Sequence, residues 1–354
     1  MVFWLWFGLG ILLLPPVAIG LFLAALYLLL RWRYVGFLVR VFQEKPLFII
    51  PRGQPTDRAE HVTLTATDGL TLRGCYLKAG EESRDLREGE APAEPQAIGS
   101  AGASPSRSSR KGVILFGLEY GSDRWACLRY CEKLLAAGYD VFAYEPRNQG
   151  DSDKDPVYEP LQWVTDKDVS DMKVAVKYLQ NRPDADPKGF GLFGISKGGS
   201  TGFLVAAKEP SIRCLATDGA YATYTTMVPY MQRWIKIYSD RHLLQRVLPT
   251  WFYGLVGVTG LNRVARIRGV TYPSVEKAVS RIRRPVFMIH GEGDTYIKPE
   301  MAKALFERAA EPKELWLVPK AKHNQAIATA EDEYHRRVVE FFDKHLATVE
   351  FAAS

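Results

Sequence analysis

A serine in a Gly-x-Ser-x-Gly-Gly motif is the residue of this chain whose sequence setting most clearly indicates a nucleophile. Ser196 follows an apolar run over 189–195 and precedes a helix of small residues. A nucleophile elbow requires this strand–turn–helix setting, because its sharp turn lifts the serine hydroxyl above the sheet. Neighbouring side chains would clash in such a turn, so Gly194 and Gly198 are expected to flank the serine. The motif is short, and its meaning depends on partners elsewhere in the chain.

A serine hydroxyl is a weak nucleophile and needs a base that a carboxylate orients. Among the six histidines, His323 is the one that lies in a polar loop directly after the last strand. Catalytic groups collect at such carboxyl ends of parallel strands. Asp294 also follows a strand, and we favour it as the orienting acid over Asp218 and Glu292. The order Ser196, Asp294, His323 is the order of a hydrolase triad.

Two backbone N–H groups are expected to stabilise the oxyanion that forms when the serine attacks a carbonyl. The N–H of Lys197 lies at the start of the helix after the elbow, where the helix dipole favours negative charge. The second donor should come from the loop after the first parallel strand, residues 117–121, and the N–H of Leu118 is our first choice. This chemistry needs no metal and no cofactor.

Strands that alternate with helices must hold these residues in place. Two alternating runs, 61–67 and 70–78, meet at Asp68-Gly69 and predict an antiparallel hairpin. Buried apolar runs then alternate with helical segments from residue 111 onward, and one helix is expected over 161–180. This pattern predicts an α/β fold with a mostly parallel, eight-stranded sheet and helices on both faces.

The start of the chain predicts a transmembrane helix. Residues 2–30 carry no charged side chain, and a helix of that length measures about 43 Å against a hydrocarbon core of about 30 Å. We favour one tilted span over a cleaved signal peptide, because the segment is long and lacks a basic start. A buried core helix is the other alternative. Arg31, Arg33 and Arg40 follow, so the positive-inside rule places the catalytic domain in the cytoplasm.

These patterns divide the chain into three parts. We expect a membrane anchor over 1–31, a juxtamembrane connector over 32–60 that could form an interfacial helix, and a catalytic domain over 61–354. Within that domain, residues 80–110 are rich in Glu, Ala, Pro, Ser and Gly. Such a segment buries too little apolar surface to order itself, so it predicts a disordered insertion. A docking or phosphorylation segment at 104–109 is the alternative.

The composition excludes one class of partner and indicates a compartment. The net charge is only +6, and no basic run is interleaved with aromatic residues, so a nucleic-acid partner is not expected. The four cysteines are interpreted as buried free thiols, which suits a reducing compartment. They are Cys75, Cys127, Cys131 and Cys214.

Four motifs together resemble the α/β-hydrolase superfamily, and most closely its serine aminopeptidase-like and monoacylglycerol-lipase-like branch. They are Phe116-Gly117, Glu145-Pro-Arg-Asn-Gln-Gly-Asp-Ser152, the elbow at 194–199, and Gly291-Glu-Gly-Asp294 with Lys322-His323-Asn324. The resemblance covers residues 62–346 apart from the insertion, and it implies the roles already given to the triad and to the two N–H donors. The chain departs from the family at Phe116, where a histidine usually shapes the oxyanion loop.

The resemblance also implies a lid over 220–284. Its aromatic residues, among them Tyr221 and Trp251, would either line an apolar acyl pocket or pack in the core, and its arginines at 263–268 would face acidic lipid headgroups or solvent. We expect a membrane-anchored serine hydrolase that cleaves a carboxylic ester or thioester of a small, apolar acyl substrate. Peptide cleavage and acyl transfer use the same triad and stay open. A non-catalytic membrane scaffold is the alternative of another class.

Overall fold

The computed structural model describes residues 2–43, 50, 52–80, 110–238, 246 and 249–347. The chain divides into two compact units. The helical unit comprises residues 1–46 and 224–271, and the sheet unit comprises 47–223 and 272–354. Most of the predicted insertion at 80–110 lies outside the described residues.

An eight-stranded sheet forms the centre of the sheet unit. In spatial order its strands are β1 (Ala59–Thr65), β2 (Thr71–Leu77), β4 (Tyr139–Tyr144), β3 (Gly112–Gly117), β5 (Phe190–Ile195), β6 (Ile212–Asp218), β7 (Val286–Gly291) and β8 (Lys313–Val318). β1 and β2 form the predicted antiparallel hairpin, β2 is antiparallel to β4, and all later neighbours are parallel. The predicted fold class, a mostly parallel sheet of eight strands, is confirmed.

Helices connect the parallel strands. In chain order the helices are α1 (Val2–Phe42), α2 (Cys127–Ala136), α3 (Asp166–Gln180), α4 (Lys197–Ala206), α5 (Tyr224–Tyr238), α6 (Thr250–Arg268), α7 (Val275–Val279), α8 (Pro299–Arg308), α9 (Ala326–Thr329) and α10 (Glu331–His345). A short 3-10 turn, Arg124–Ala126, leads into α2. Every residue of β3, β4, β5 and β7 is buried, as expected of strands that are covered on both faces.

Helix α3 begins at Asp166 and not at residue 161 as the apolar pattern predicts. Thr165 caps it, since the Thr165 side chain accepts the Asp168 backbone N–H while Asp168 Oδ2 accepts the Thr165 N–H at 2.8 Å. This reciprocal capping fixes the first turn of the helix and ends the extended chain before it.

Helix α1 continues past residue 31, where the sequence places the boundary between anchor and connector. Buried apolar residues recur in its second half at helical spacing, at Leu30, Tyr34, Leu38 and Phe42, and this pattern favours one uninterrupted helix. The segment Leu14–Phe42 is long and apolar enough to cross a membrane, with a mean hydropathy of 1.9 and 11% of its apolar window buried.

The chain leaves the sheet unit after Thr223 and returns to it at Tyr272. The Thr223 hydroxyl donates to the Pro273 carbonyl at 2.7 Å and accepts the Val275 N–H at 3.1 Å. The Thr223 side chain therefore joins the point where the chain leaves the sheet unit to the point where it returns. The lid predicted over 220–284 includes residues of both units.

Candidate active site

The nucleophile elbow lies between β5 and α4. Ser196 has φ 48° and ψ −113°, a strained conformation that the motif predicts. A Cβ on Gly198 would lie 2.2 Å from the Gly117 carbonyl oxygen, and one on Gly194 would lie 2.6 Å from Gly199 Cα. Glycine is thus required at both flanking positions for the backbone to turn this tightly.

Three predicted site residues form one hydrogen-bonded chain. The Ser196 hydroxyl lies 3.0 Å from His323 Nε2, and His323 Nδ1 lies 2.6 Å from Asp294 Oδ2. The other Asp294 oxygen accepts the N–H groups of Tyr296 and Ile297, both at 2.8 Å. With Nδ1–H donating to the carboxylate, the lone pair of Nε2 faces the serine hydroxyl. This geometry lets the imidazole accept the serine proton.

The other two candidate carboxylates are placed differently. Asp218 ends β6 and accepts the Tyr334 hydroxyl at 3.1 Å. Burial raises the pKa of Asp218 to about 7. Glu292 is exposed. The geometry therefore favours Asp294 as the acid that orients the histidine.

His290 is a neighbour of this chain that the sequence analysis did not select. It is buried, its Nε2–H donates to the Ile297 carbonyl at 2.7 Å, and Nε2 lies 3.5 Å from Asp294 Oδ2. Burial lowers the pKa of His290, so the ring is neutral and supports the Asp294 loop without adding charge.

The two predicted oxyanion donors lie on adjoining backbone segments. Lys197 is the first residue of α4, and its buried side chain turns away to Asp168 Oδ1 at 2.8 Å and to the Leu161 carbonyl at 2.9 Å. Leu118 directly follows β3, and a Cβ on Gly198 would lie 2.6 Å from the Leu118 oxygen. The loop after β3 therefore packs against the first turn of α4.

Glu119 joins the loop after β3 to the loop that carries His323. Its Oε2 accepts the Asn324 side-chain N–H at 2.7 Å, and its Oε1 lies 3.4 Å from the Tyr130 hydroxyl. Burial raises the pKa of Glu119. Sequence reasoning places the two residues in a candidate loop and a motif but missed their pairing, because they lie 205 residues apart.

Phe116 occupies the position where a histidine was expected, and its ring belongs to the core. It lies 5.6 Å from the ring centroids of both Tyr130 and Phe193. An apolar ring fits this buried position, whereas the polar contact to the His323 loop comes from Glu119 three residues later.

A cleft of about 690 Å³ opens at Ser196. Its lining consists of the site residues, three tyrosines and several polar or charged side chains: Ile50, Glu119, Tyr120, Arg129, Gln162, Ser196, Tyr221, Asp294, Thr295, Tyr296, Lys322, His323, Asn324 and Gln325. Of the predicted lid aromatics, Tyr221 lines the cleft, whereas Trp251 belongs to the helical unit and is 59% exposed. The volume suits a small-molecule ligand.

Neither a metal cluster nor a disulfide is found where the structure describes the chain. No group of three His, Cys, Asp or Glu side chains among the described residues could hold a metal ion. The four cysteines are free and buried.

Comparison with known proteins shows which proteins the chain resembles. Residues 113–272 match the family model described as alpha/beta hydrolase fold. The uncharacterized protein YfhR of Escherichia coli is 24% identical over 286 residues, which cover 80% of each chain. The alpha/beta hydrolase domain-containing protein WAV2 of Arabidopsis thaliana is 21% identical over 210 residues, 58% of this chain and 61% of its own.

Solved structures share the fold. The Pyrococcus furiosus esterase Pf2001 superimposes with a TM-score of 0.57 at 22% identity, over 86% of this chain and 98% of its own. The hypothetical protein PA2218 of Pseudomonas aeruginosa gives a TM-score of 0.55 at 18% identity, over 86% and 100%. The chain has the α/β-hydrolase fold. Over residues 113–272 it matches the alpha/beta hydrolase family model, and its assignment to one branch of the superfamily stays a prediction.

Proposed function

We propose that the chain is a serine hydrolase that cleaves a carboxylic ester or thioester through an acyl-enzyme. The observation that carries this proposal is the hydrogen-bonded chain from Ser196 through His323 to Asp294, at 3.0 and 2.6 Å. Its order and contacts are those that an activated serine requires. The likeness to an esterase of Pyrococcus furiosus is compatible with this chemistry but concerns the fold.

Acylation begins with Ser196 Oγ attacking the substrate carbonyl carbon while His323 Nε2 takes the hydroxyl proton. The negative charge that develops on the carbonyl oxygen is stabilised by the N–H groups of Lys197 and Leu118. One such donor is worth about 3–4 kcal/mol of the barrier. His323 then gives its proton to the leaving alcohol or thiol, and the bond between the carbonyl carbon and that group breaks.

Deacylation repeats the same steps with water. His323 takes a proton from the water molecule as it attacks the acyl carbon, and the proton returns to Ser196 Oγ when the carboxylic acid leaves. Asp294 keeps the imidazole in the required tautomer and stabilises its charged form in both halves.

The cleft indicates a small acyl substrate of mixed polarity. Tyr120, Tyr221 and Tyr296 offer ring faces to an acyl chain, while Gln162 and Lys322 offer polar groups to the rest of the molecule. Tyr296 lies 5.4 Å from the His323 ring and bounds the space next to the base. A peptide bond or an acyl acceptor other than water would use the same residues.

We further propose that α1 anchors the enzyme in a membrane with the sheet unit on the cytoplasmic side. The exposed apolar segment from Leu14 supports the anchor. Arg31, Arg33 and Arg40 are exposed in the last part of that helix, after its uncharged residues, and basic residues mark the cytoplasmic end of a span.

Labelling with a fluorophosphonate probe tests the catalytic proposal. We expect the full-length chain in detergent to be labelled, Ser196→Ala to be unlabelled, and His323→Ala to react far more slowly. Labelling of the parent would justify a screen of esters, thioesters and peptides. A folded parent that takes no label in detergent or in vesicles would leave the non-catalytic scaffold as the better description.

A further inference from the structure

The anchor helix and the inserted helix α6 lie side by side and run in the same direction. The Tyr27 hydroxyl bonds to Thr259 Oγ1 at 2.7 Å, and the rings of Tyr27 and Phe252 are 6.4 Å apart. Further along both helices, a Cβ on Gly260 would lie 3.5 Å from Leu38 Cβ. Residue numbers therefore increase in the same direction along α1 and α6. The first turns of α6 lie beside the part of α1 around residues 27–32.

Both helices present apolar side chains to the outside at this level. Trp251 and Leu255, one turn apart on α6, are 59% and 49% exposed. On α1, Leu28, Leu29 and Trp32 are exposed as well. These five exposed apolar side chains lie at the same level of two neighbouring helices, and we call them the paired face.

Exposed arginines follow the apolar residues on both helices, in the same direction. Arg33 and Arg40 are exposed on α1, and Arg263 and Arg266 are exposed on α6. At about 1.5 Å per residue, Arg263 lies some 18 Å along the helix from Trp251. An apolar zone beside a basic zone is the pattern of a helix that meets a bilayer, with tryptophan at the boundary between acyl chains and headgroups.

We propose that the paired face lies at the acyl–headgroup boundary of the membrane that α1 crosses, so that α6 is an interfacial membrane helix. The occupant of this surface is the lipid bilayer. The assignment rests on the position of the exposed apolar residues of α6, beside the end of the exposed apolar stretch of α1, and the arginines set the orientation. The inference rests on the anchor role proposed for α1. It adds that the inserted segment is held at the membrane and does not move as a free lid in water.

Site-specific fluorescence in lipid vesicles tests this inference on the full-length chain. Single cysteines would be introduced as Trp251→Cys, Phe22→Cys and Val157→Cys, and each would be labelled with an environment-sensitive dye. The four native cysteines are buried, so the unsubstituted chain serves as the blank. Phe22 is 66% exposed on the apolar part of α1, and Val157 is 87% exposed on the sheet unit.

Each position has its own expected response to lipids that carry a nitroxide quencher. The dye at 251 should emit to the blue and lose emission mainly to a quencher near the headgroup. The dye at 22 should lose emission mainly to a quencher near the end of the acyl chain. The dye at 157 should keep a water-like spectrum with either lipid.

The outcomes separate this inference from the anchor proposal. Quenching at 22 with none at 251 would overturn the interfacial helix and leave the anchor intact. Loss of quenching at both positions would overturn the anchor as well. A blue-shifted dye at 251 that neither lipid quenches would show that protein covers the paired face, and the bilayer assignment would be wrong. None of these readouts depends on Ser196, so the proposed catalysis is tested separately.

Discussion

Two buried carboxylates at the ends of neighbouring strands have different partners. Asp294 accepts hydrogen bonds from His323 and from two backbone N–H groups, whereas Asp218 accepts one from Tyr334. The sequence presents both as candidates for the orienting acid. What separates them is the direction of each side chain, which depends on packing between residues far apart in the chain.

Asp294→Asn should lower kcat and the rate of fluorophosphonate labelling by about 10³–10⁴-fold, because an amide cannot hold the reactive tautomer of His323 or stabilise its charge. The matched control is Asp218→Asn, which leaves the hydrogen bond between His323 and Asp294 in place and should retain most of the labelling rate. Equal losses in the two variants would contradict the assignment of Asp294.

The pKa of Asp218 also predicts how stability changes with pH. Burial raises this pKa from 3.8 to about 7, so between these values the folded chain holds a proton that the unfolded chain releases. The free energy of unfolding should therefore fall as the pH rises toward 7 and then level off. Asp218→Asn removes this term and should gain on the order of 2 kcal/mol relative to the parent between pH 5 and 7. Chemical unfolding of both proteins in detergent, at a series of pH values, measures the difference. A constant difference would contradict the prediction.

At the scale of elements, the elbow depends on the contact between α4 and the loop after β3. Gly198→Ala would place a Cβ 2.2 Å from the Gly117 oxygen, so the backbone must shift. We expect a loss of stability of about 1–3 kcal/mol together with a strong loss of labelling. Gly36→Ala on α1 is the control, because its Cβ would meet nothing within 4 Å and alanine favours a helix. Thermal unfolding and probe labelling of both variants test this. Normal labelling of Gly198→Ala would show that the close packing is dispensable.

The pairing of Glu119 with Asn324 should align the loop after β3 with the loop of the base. Glu119→Ala and Asn324→Gly each remove the contact, and glycine keeps the left-handed φ of 54° at position 324. Each variant should label more slowly while staying folded, and the double variant should be little worse than either one. A double-mutant cycle on the labelling rate would give a coupling of about 0.5–3 kcal/mol. Additive effects would show that the two loops act independently.

The sequence predicts most of the sheet and the positions of the triad, because apolar periodicity and turn residues are local signals. The start of α3 was not predicted correctly. The apolar residues before Thr165 continue the helical pattern, but the cap at Thr165 makes the helix begin only at Asp166. The partner of Glu119 escaped as well, because that contact joins residues remote in sequence. The sequence also failed to predict the neutral His290 beside Asp294, because the burial of His290 depends on packing between strands that are far apart in the chain.

At the scale of the whole molecule, the chain places its apolar surface and its cleft in different units. The exposed apolar residues of α1 belong to the helical unit, and the cleft at Ser196 is lined by residues of the sheet unit. If α1 is the proposed anchor, such a division suits an enzyme that acts in the aqueous phase close to a membrane. The proposed orientation across that membrane rests on the arginines that follow the uncharged part of α1.

Cysteine accessibility in cells tests this orientation. Val157→Cys should react with a membrane-impermeant maleimide only after permeabilisation, because residue 157 belongs to the unit proposed to be cytoplasmic. A cysteine in a polar extension added before Met1, outside the span, should react in intact cells. The buried native cysteines should contribute little background. Reaction of Val157→Cys in intact cells would reverse the proposed topology.

The contact at Thr223 has an evolutionary consequence. Because this one side chain bonds to the segment where the chain returns, the two ends of residues 224–271 meet at a single point of the sheet unit. A segment whose ends are already joined can be lengthened, shortened or replaced at a closure cost that grows slowly with its length. The helices between these ends can therefore change with little cost to the sheet, and the same sheet unit can be adapted to new surroundings by exchanging one continuous piece of the gene.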